Sequence, residues 1–182
     1  MQEIVYEWKS ILSEVVSDEN FISMLDGRAY RWYDRGSLPP TATQDYLIYI
    51  PADVDLWFYG RSFTGRATNL TLTVYTNPAI TDNGVEMSEK MFNRNSDYPD
   101  NNLARIWKGP TVSSMGTESD YDETSGSVDS SSGVKGSTGS QTSQEFPRVM
   151  PKDTYIFVRV KNLSTQNTGS FIYKLFWSEI PR

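Results

Sequence analysis

The sequence contains no histidine and no cysteine. Without imidazole there is no Ser-His-Asp triad, no histidine acid or base, no zincin motif and no two-histidine iron site. Without thiols there are no disulfides, thiolate zinc sites or cysteine nucleophiles. No segment reaches the ~18 consecutive apolar residues of a membrane span, so no membrane partner is expected. The first residues, MQEIVYEWKSILSEVV, lack the basic start and apolar run of a secretion signal, which leads us to expect a soluble protein made in the cytoplasm. Positive charge is scarce as well. Lys plus Arg number 17 against 23 Asp plus Glu, the net charge is −6, and no basic cluster occurs, so a nucleic-acid partner is not expected.

What remains is carboxylate chemistry, and it is thin. Asp53 and Asp55, two apart on an expected strand, would share a face and could form an acid pair for glycoside hydrolysis. Exposed acids are mostly just solvated, and we take that reading. Asp120, Asp122 and Thr124 alternate before Gly126 somewhat like a calcium loop. The glycine comes one position late, and Ser131 stands where a bidentate Glu is needed, so no metal is assigned. Gly133, Gly136 and Gly139 link no strand to a helix and make no phosphate cradle, while Lys135 among serines is no credible Ser-Lys dyad. No cofactor and no catalytic residue is assigned, and the chain is not expected to be an enzyme. Asn69 and Asn162 begin glycosylation-type triplets, read here as ordinary polar positions.

The chain is 182 residues long and 13% aromatic, enough for one domain with a sizeable core. Residues 3–16 place Ile4, Val5, Trp8, Ile11, Leu12, Val15 and Val16 at helical spacing, as an amphipathic helix in an arm over 1–25. That helix would cover a sheet end, pack on its own copy, or act as a docking arm. From residue 26 onward the period becomes two. Residues 28–33, 45–50, 54–59, 69–75, 103–107, 154–161 and 170–179 read as strands, with the polar run 162–169 as a hairpin loop. Short strands punctuated by Gly, Pro, Asn and Asp predict an all-β antiparallel sandwich, jelly-roll-like, over 26–182. Two excursions interrupt it: 77–99, and a long loop insert over 109–146. Within that insert, residues 124–143 hold Ser, Gly or Thr at fifteen of twenty positions, too little apolar surface to offset the entropy of ordering. Such a loop is expected to become fixed on a neighbouring surface. Trp177 reads as core, Trp107 as a strand-end residue open to exposure, and exposed tryptophans would suit a carbohydrate-binding module.

The succession Asp26-Gly27-Arg28 with Tyr30 to Tyr33, then YLIYIPA from Tyr46 to Ala52, then NRNS at Asn93, Arg94, Asn95 and Ser96 is similar to a family of small tailed-phage virion proteins often encoded beside the major capsid protein. Pro110-Thr111-Val112, the Gly/Ser-rich stretch, PKDTYIF from Pro151 to Phe157 and a closing strand at Trp177-Ser178-Glu179 extend the resemblance over most of 26–179. The helix over 3–16 and the acidic run 118–123 depart from the pattern. The resemblance implies a decoration or cement protein: a β-sandwich on the outer capsid surface in the virion, with the major capsid protein as partner. A homo-oligomer, a trimer matching local threefold sites, is a further expectation. Contact residues are expected in the NRNS segment (Asn93, Arg94, Asn95, Ser96), the low-complexity loop (Ser125, Ser131, Lys135, Ser140) and the helix (Trp8). A tail, fibre or neck component, or a carbohydrate-binding module, are the alternatives.

Overall fold

The computed structural model describes residues 23–124, 139–143 and 148–181. Within them the period-two alternation becomes two antiparallel sheets packed face to face. In chain order the strands are β1 (Ala29–Leu38), β2 (Thr43–Ile50), β3 (Val54–Arg66), β4 (Leu70–Thr76), β5 (Ala79–Asp82), β6 (Val85–Glu86), β7 (Met91–Asn93), β8 (Arg105–Lys108), β9 (Thr111–Ser114), β10 (Thr117–Thr124), β11 (Gly139–Ser143), β12 (Arg148–Val149), β13 (Thr154–Asn162) and β14 (Gly169–Pro181). One sheet, called here the front sheet, runs β11-β3-β14-β1-β7, with β12 also on β3. The back sheet runs β10-β4-β13-β2-β8-β6, and β5 and β9 form a separate two-stranded ribbon. The expected all-β sandwich is therefore observed.

The inward sets supply the core. Tyr30 and Trp32 of β1, Phe171, Tyr173, Leu175 and Trp177 of β14, Tyr46 of β2 and Val158 and Val160 of β13 are all buried. Trp32 meets Tyr46 and Tyr173 edge-on at 5.3 and 5.6 Å, so aromatic packing joins the sheets at their centre.

Successive strands mostly change sheet instead of pairing, and this corrects one expectation. The run 162–169 is no hairpin, because β13 lies in the back sheet and β14 in the front sheet. Asn162, at 0% exposure, holds this crossover beside the β1–β2 crossover. Its Nδ2 donates to the carbonyls of Leu38, Pro39 and Asn167 at 2.8–3.0 Å, and its Oδ1 accepts from Ser164 N and Thr68 Oγ1.

The insert expected over 109–146 is also corrected: β9, β10 and β11 lie within it. β10 reads as a loop because its exposed outward set, Glu118 and Glu123 among others, carries charge. It forms because it completes the back sheet against β4, and those charges suit an edge strand that must not pair further. The chain turns at Asn77 (φ 57°) and Gly116 (φ 89°) where β4 and β10 lead into the ribbon of β5 and β9. A side chain at Gly116 would collide with the Thr76 carbonyl, which explains the glycine. The segment 77–99 likewise contains β5, β6 and β7. Residues 23–25 are helical, whereas the helix over 3–16 lies outside the described residues.

Candidate functional site

The two outer faces differ in what covers them. On the back sheet Leu47 and Phe157 point away from the core yet are fully buried. Tyr75 lies 5.9 Å from Phe157, and the Arg159 guanidinium covers its ring at 5.4 Å. Arg159 is itself fixed by Asp45 at 2.8 Å and donates to Met115 Sδ at 3.0 Å, so the chain next to Gly116 folds back over this face.

Among the described residues the front sheet's outer face carries no such cover. The set opposite Trp32 in β1 is Arg31, Tyr33 and Arg35, and the set opposite Tyr173 in β14 is Ile172, Lys174 and Phe176. Register places Arg31 beside Phe176, Tyr33 beside Lys174 and Arg35 beside Ile172. Phe92 of β7 stands next to Arg31, with the guanidinium 5.7 Å over its ring and Tyr33 stacked at 5.9 Å. One row on, Ser170 pairs with Arg66 of β3, also exposed. Tyr33 is 40% and Ile172 39% exposed. Arg31, Arg35, Arg66 and Lys174 make no salt bridge among the described residues, and these four rows hold no Asp or Glu. On a chain of net charge −6 this is a local reversal of sign, laid over an aromatic hollow that Arg31, Tyr33, Arg35, Ile172, Lys174 and Phe176 line.

Most other charges are paired. Asp34, at 0% exposure on the inward side of β1, accepts from Lys90 Nζ at 2.5 Å, Lys108 Nζ at 2.7 Å and Tyr46 Oη at 2.8 Å. Burial pushes its carboxyl up, but the bonds from Lys108, Lys90 and Tyr46 outweigh this and hold it below the usual aspartate range. Burial and the Asp34 charge push the Tyr46 phenol far upward. Arg61 of β3 bridges Asp120 at 2.7 Å and Asp122 at 2.8 Å on β10. Glu179 accepts from the amides of Leu103 and Ala104 and from Trp177 Nε1 at 2.6–3.0 Å, while burial raises its carboxyl.

These pairings place the acidic residues singled out in the sequence. Asp120 and Asp122 belong to a strand and share Arg61, and among the described residues no group of three carboxylates converges as a metal site would require. Asp53 lies in the turn before β3, exposed, while Asp55 pairs with Lys152 at 2.7 Å, so the two do not form an acid pair.

Of the expected contact residues, Asn93 is buried and organises a turn. Its Nδ2 donates to Gly27 O at 2.6 Å, its Oδ1 accepts from Asn95 N at 2.9 Å, and its amide bonds Asp100. Asn95 Oδ1 caps the same turn through Asp97 N at 3.1 Å. A short Asn-rich motif satisfies its own backbone before it can serve a partner. Arg94 and Ser96 are exposed and follow Phe92 at the margin of the front face. Ser140 sits in β11, opposite Thr64, as part of a strand and not of a free loop. Ser125, Ser131, Lys135 and Trp8 lie outside the described residues. Trp32 and Trp177 are core, Trp57 and Trp107 half-buried, so among the described residues no tryptophan offers an exposed platform.

A second feature lies between the sheets. An apolar cavity of about 280 Å³ opens where β3 faces β4 and β10, lined by Ile48, Phe58, Val74, Ile106, Met150 and Trp177 among others. Further along, the sheets close, since a side chain at Gly65 would overlap the Thr124 hydroxyl.

No family model matches the chain, and no curated protein does. A solved structure titled for the infectious bursal disease virus Gx strain aligns over 85% of this chain and 42% of that chain at 12% identity, with a TM-score of 0.14. The chain therefore spans less than half of that protein, and a score so low carries no structural conclusion.

Proposed function

We propose that this protein is a structural phage virion component that adheres to the outer surface of an assembled capsid and reinforces it, with the major capsid protein as partner. The observation that carries this reading is the outer face of the front sheet, where Arg31, Arg35, Arg66 and Lys174 lie with Tyr33, Phe92 and Phe176 and, among the described residues, without cover or a compensating carboxylate. A face built of arginine and aromatic side chains on regular strands suits docking against an acidic protein surface. Arginine and aromatics are the residue types that concentrate binding energy. A protein that binds only the assembled lattice stabilises it by mass action, and many copies add their effects with no covalent step. The sequence resemblance to decoration proteins points the same way.

The test is co-sedimentation with shells of the neighbouring major capsid protein. Wild type should pellet with shells and not with their dissociated subunits, and the double variant R31E/K174E should stay in the supernatant while its melting temperature is unchanged. Equal pelleting of wild type and variant would overturn the assignment of this face.

A further inference from the structure

Two irregularities of strand pairing meet at the cavity between the sheets. Along β3 the register with β14 slips, Phe58 pairing with Trp177 and Gly60 with Phe176, which leaves Tyr59 as an extra residue. Along β10 the register with β4 slips between Glu118 and Asp120, leaving Ser119 extra. Each bulge re-aims a side chain and bends its strand, and both Tyr59 and Ser119 line the cavity. The Ser119 hydroxyl is used locally, donating to Val74 O at 3.2 Å. The Tyr59 hydroxyl is buried and has no hydrogen-bond partner among the described residues. A buried phenol without a partner is costly, and bulges in two different sheets that converge on one apolar space are the kind of irregularity that serves binding.

We propose that this cleft binds a small, neutral, largely apolar molecule carrying one hydrogen-bond acceptor for Tyr59. Size sets the bulk. About 280 Å³ is roughly twice the ~150 Å³ that holds benzene, so a bicyclic ring system or an alkyl chain of similar volume fits. Charge sets the neutrality. Arg61 is the cation in the lining and Asp120 the anion, and they already pair with each other at 2.7 Å. A charged ligand would have to break that pair or face the like charge. The exposed rim residues Asn77, Ser119 and Pro151 mark the way in. The inward-facing cleft is separate from the front face and does not depend on the role proposed for it.

The full chain is titrated with N-phenyl-1-naphthylamine, a neutral diarylamine of a naphthalene and a phenyl ring whose emission rises in apolar surroundings. Saturable binding at one probe per chain, with quenching of the lining Trp177, is expected. Val74→Phe, which adds bulk to the cavity wall, should weaken the probe at least tenfold without lowering the melting temperature. If that variant does not fold, Ser119→Trp at the exposed rim carries the same expectation. R31E/K174E should bind the probe as wild type does. Competition then tests the hydroxyl: 2-acetylnaphthalene should displace the probe at least fivefold less well from Tyr59→Phe than from wild type, while naphthalene is unaffected. Absence of saturable binding, or binding untouched by the filling variant, would overturn the site. Equal displacement by 2-acetylnaphthalene from wild type and Tyr59→Phe would overturn the role of Tyr59.

Discussion

Replacing Asp34 by Ala removes the one carboxylate that ties β1 of the front sheet to Tyr46 and Lys108 of the back sheet and to Lys90. Three bonds to a charged acceptor at ~1.5–3 kcal/mol each set an upper bound. Two terms reduce it: the lysines are about a third exposed and can return to water, and the lost carboxylate no longer pays its desolvation. Breaking buried pairs costs ~3–5 kcal/mol, and this half-open cluster belongs at the lower end, ~3 kcal/mol. With ~2–4 °C per kcal/mol for a chain of this size, the melting temperature should fall ~6–12 °C. Urea unfolding followed by tryptophan fluorescence, in which Trp32 beside Tyr46 contributes, measures the difference.

The pH dependence of that difference is equally specific. The Asp34 carboxyl is held below its ordinary value, so its contribution is present above the unfolded pKa of ~3.9 and vanishes as pH falls through the folded one. The gap between wild type and D34A should be constant from pH 7 to 5 and shrink below ~4. Glu179 runs the other way: its carboxyl is raised by burial, so its contribution is present at low pH and is lost as pH rises through the folded pKa. Comparing wild type with D34A cancels that trend. The triple change D34L/K90M/K108M, which removes all three charges together, should recover more than half of the loss. A gap under ~1 kcal/mol at pH 7, or one undiminished at pH 2, would refute the assignment of an inter-sheet tether.

Asn162→Ala, which strands three backbone carbonyls and two donors at two crossovers, should cost ~2–4 kcal/mol in the same unfolding assay, and a chain passed through a secretory route should carry no glycan at that fully buried site. Arg61→Met leaves Asp120 and Asp122 side by side beneath β3 and should lower stability by ~2–4 kcal/mol, a loss partly recovered by adding D122N. R31E/K174E, by contrast, breaks no salt bridge among the described residues and loses only the exposed Arg31–Phe92 ring contact, so it should change stability by less than ~1 kcal/mol, as thermal melting will show.

The long strands were readable because alternation declares a half-buried sheet: Tyr30 and Trp32, or Phe171, Tyr173 and Leu175, cannot be placed otherwise. β10 escaped because its exposed side is charged and its buried side holds Asp122 and Thr124 instead of apolar residues, which only the Arg61 pair and the Leu70 contact make tolerable. The hairpin expected at 162–169 failed for a different reason. A polar connector looks the same whether it returns to the same sheet or crosses to the other, and the deciding signal is long-range pairing of β14 with β1 and β3. The front face was within reach of the sequence. The same alternation that put Trp32 inside put Arg31, Tyr33 and Arg35 outside, but only the pairing with Ile172, Lys174 and Phe176 makes them one surface. Within the NRNS motif, Asn93 and Asn95 spend their side chains on their own turn, which the motif alone does not show because the partners Gly27 and Leu25 are distant in sequence.

Labelling the chain on intact particles by cryo-electron microscopy is the most direct measurement of adhesion to a capsid. Density for the sandwich on the outer shell, in many copies and with Arg31, Tyr33, Arg35 and Lys174 toward the capsid protein, is the predicted result. Density confined to the tail, or a shell-bound sandwich whose front sheet faces solvent, would contradict it.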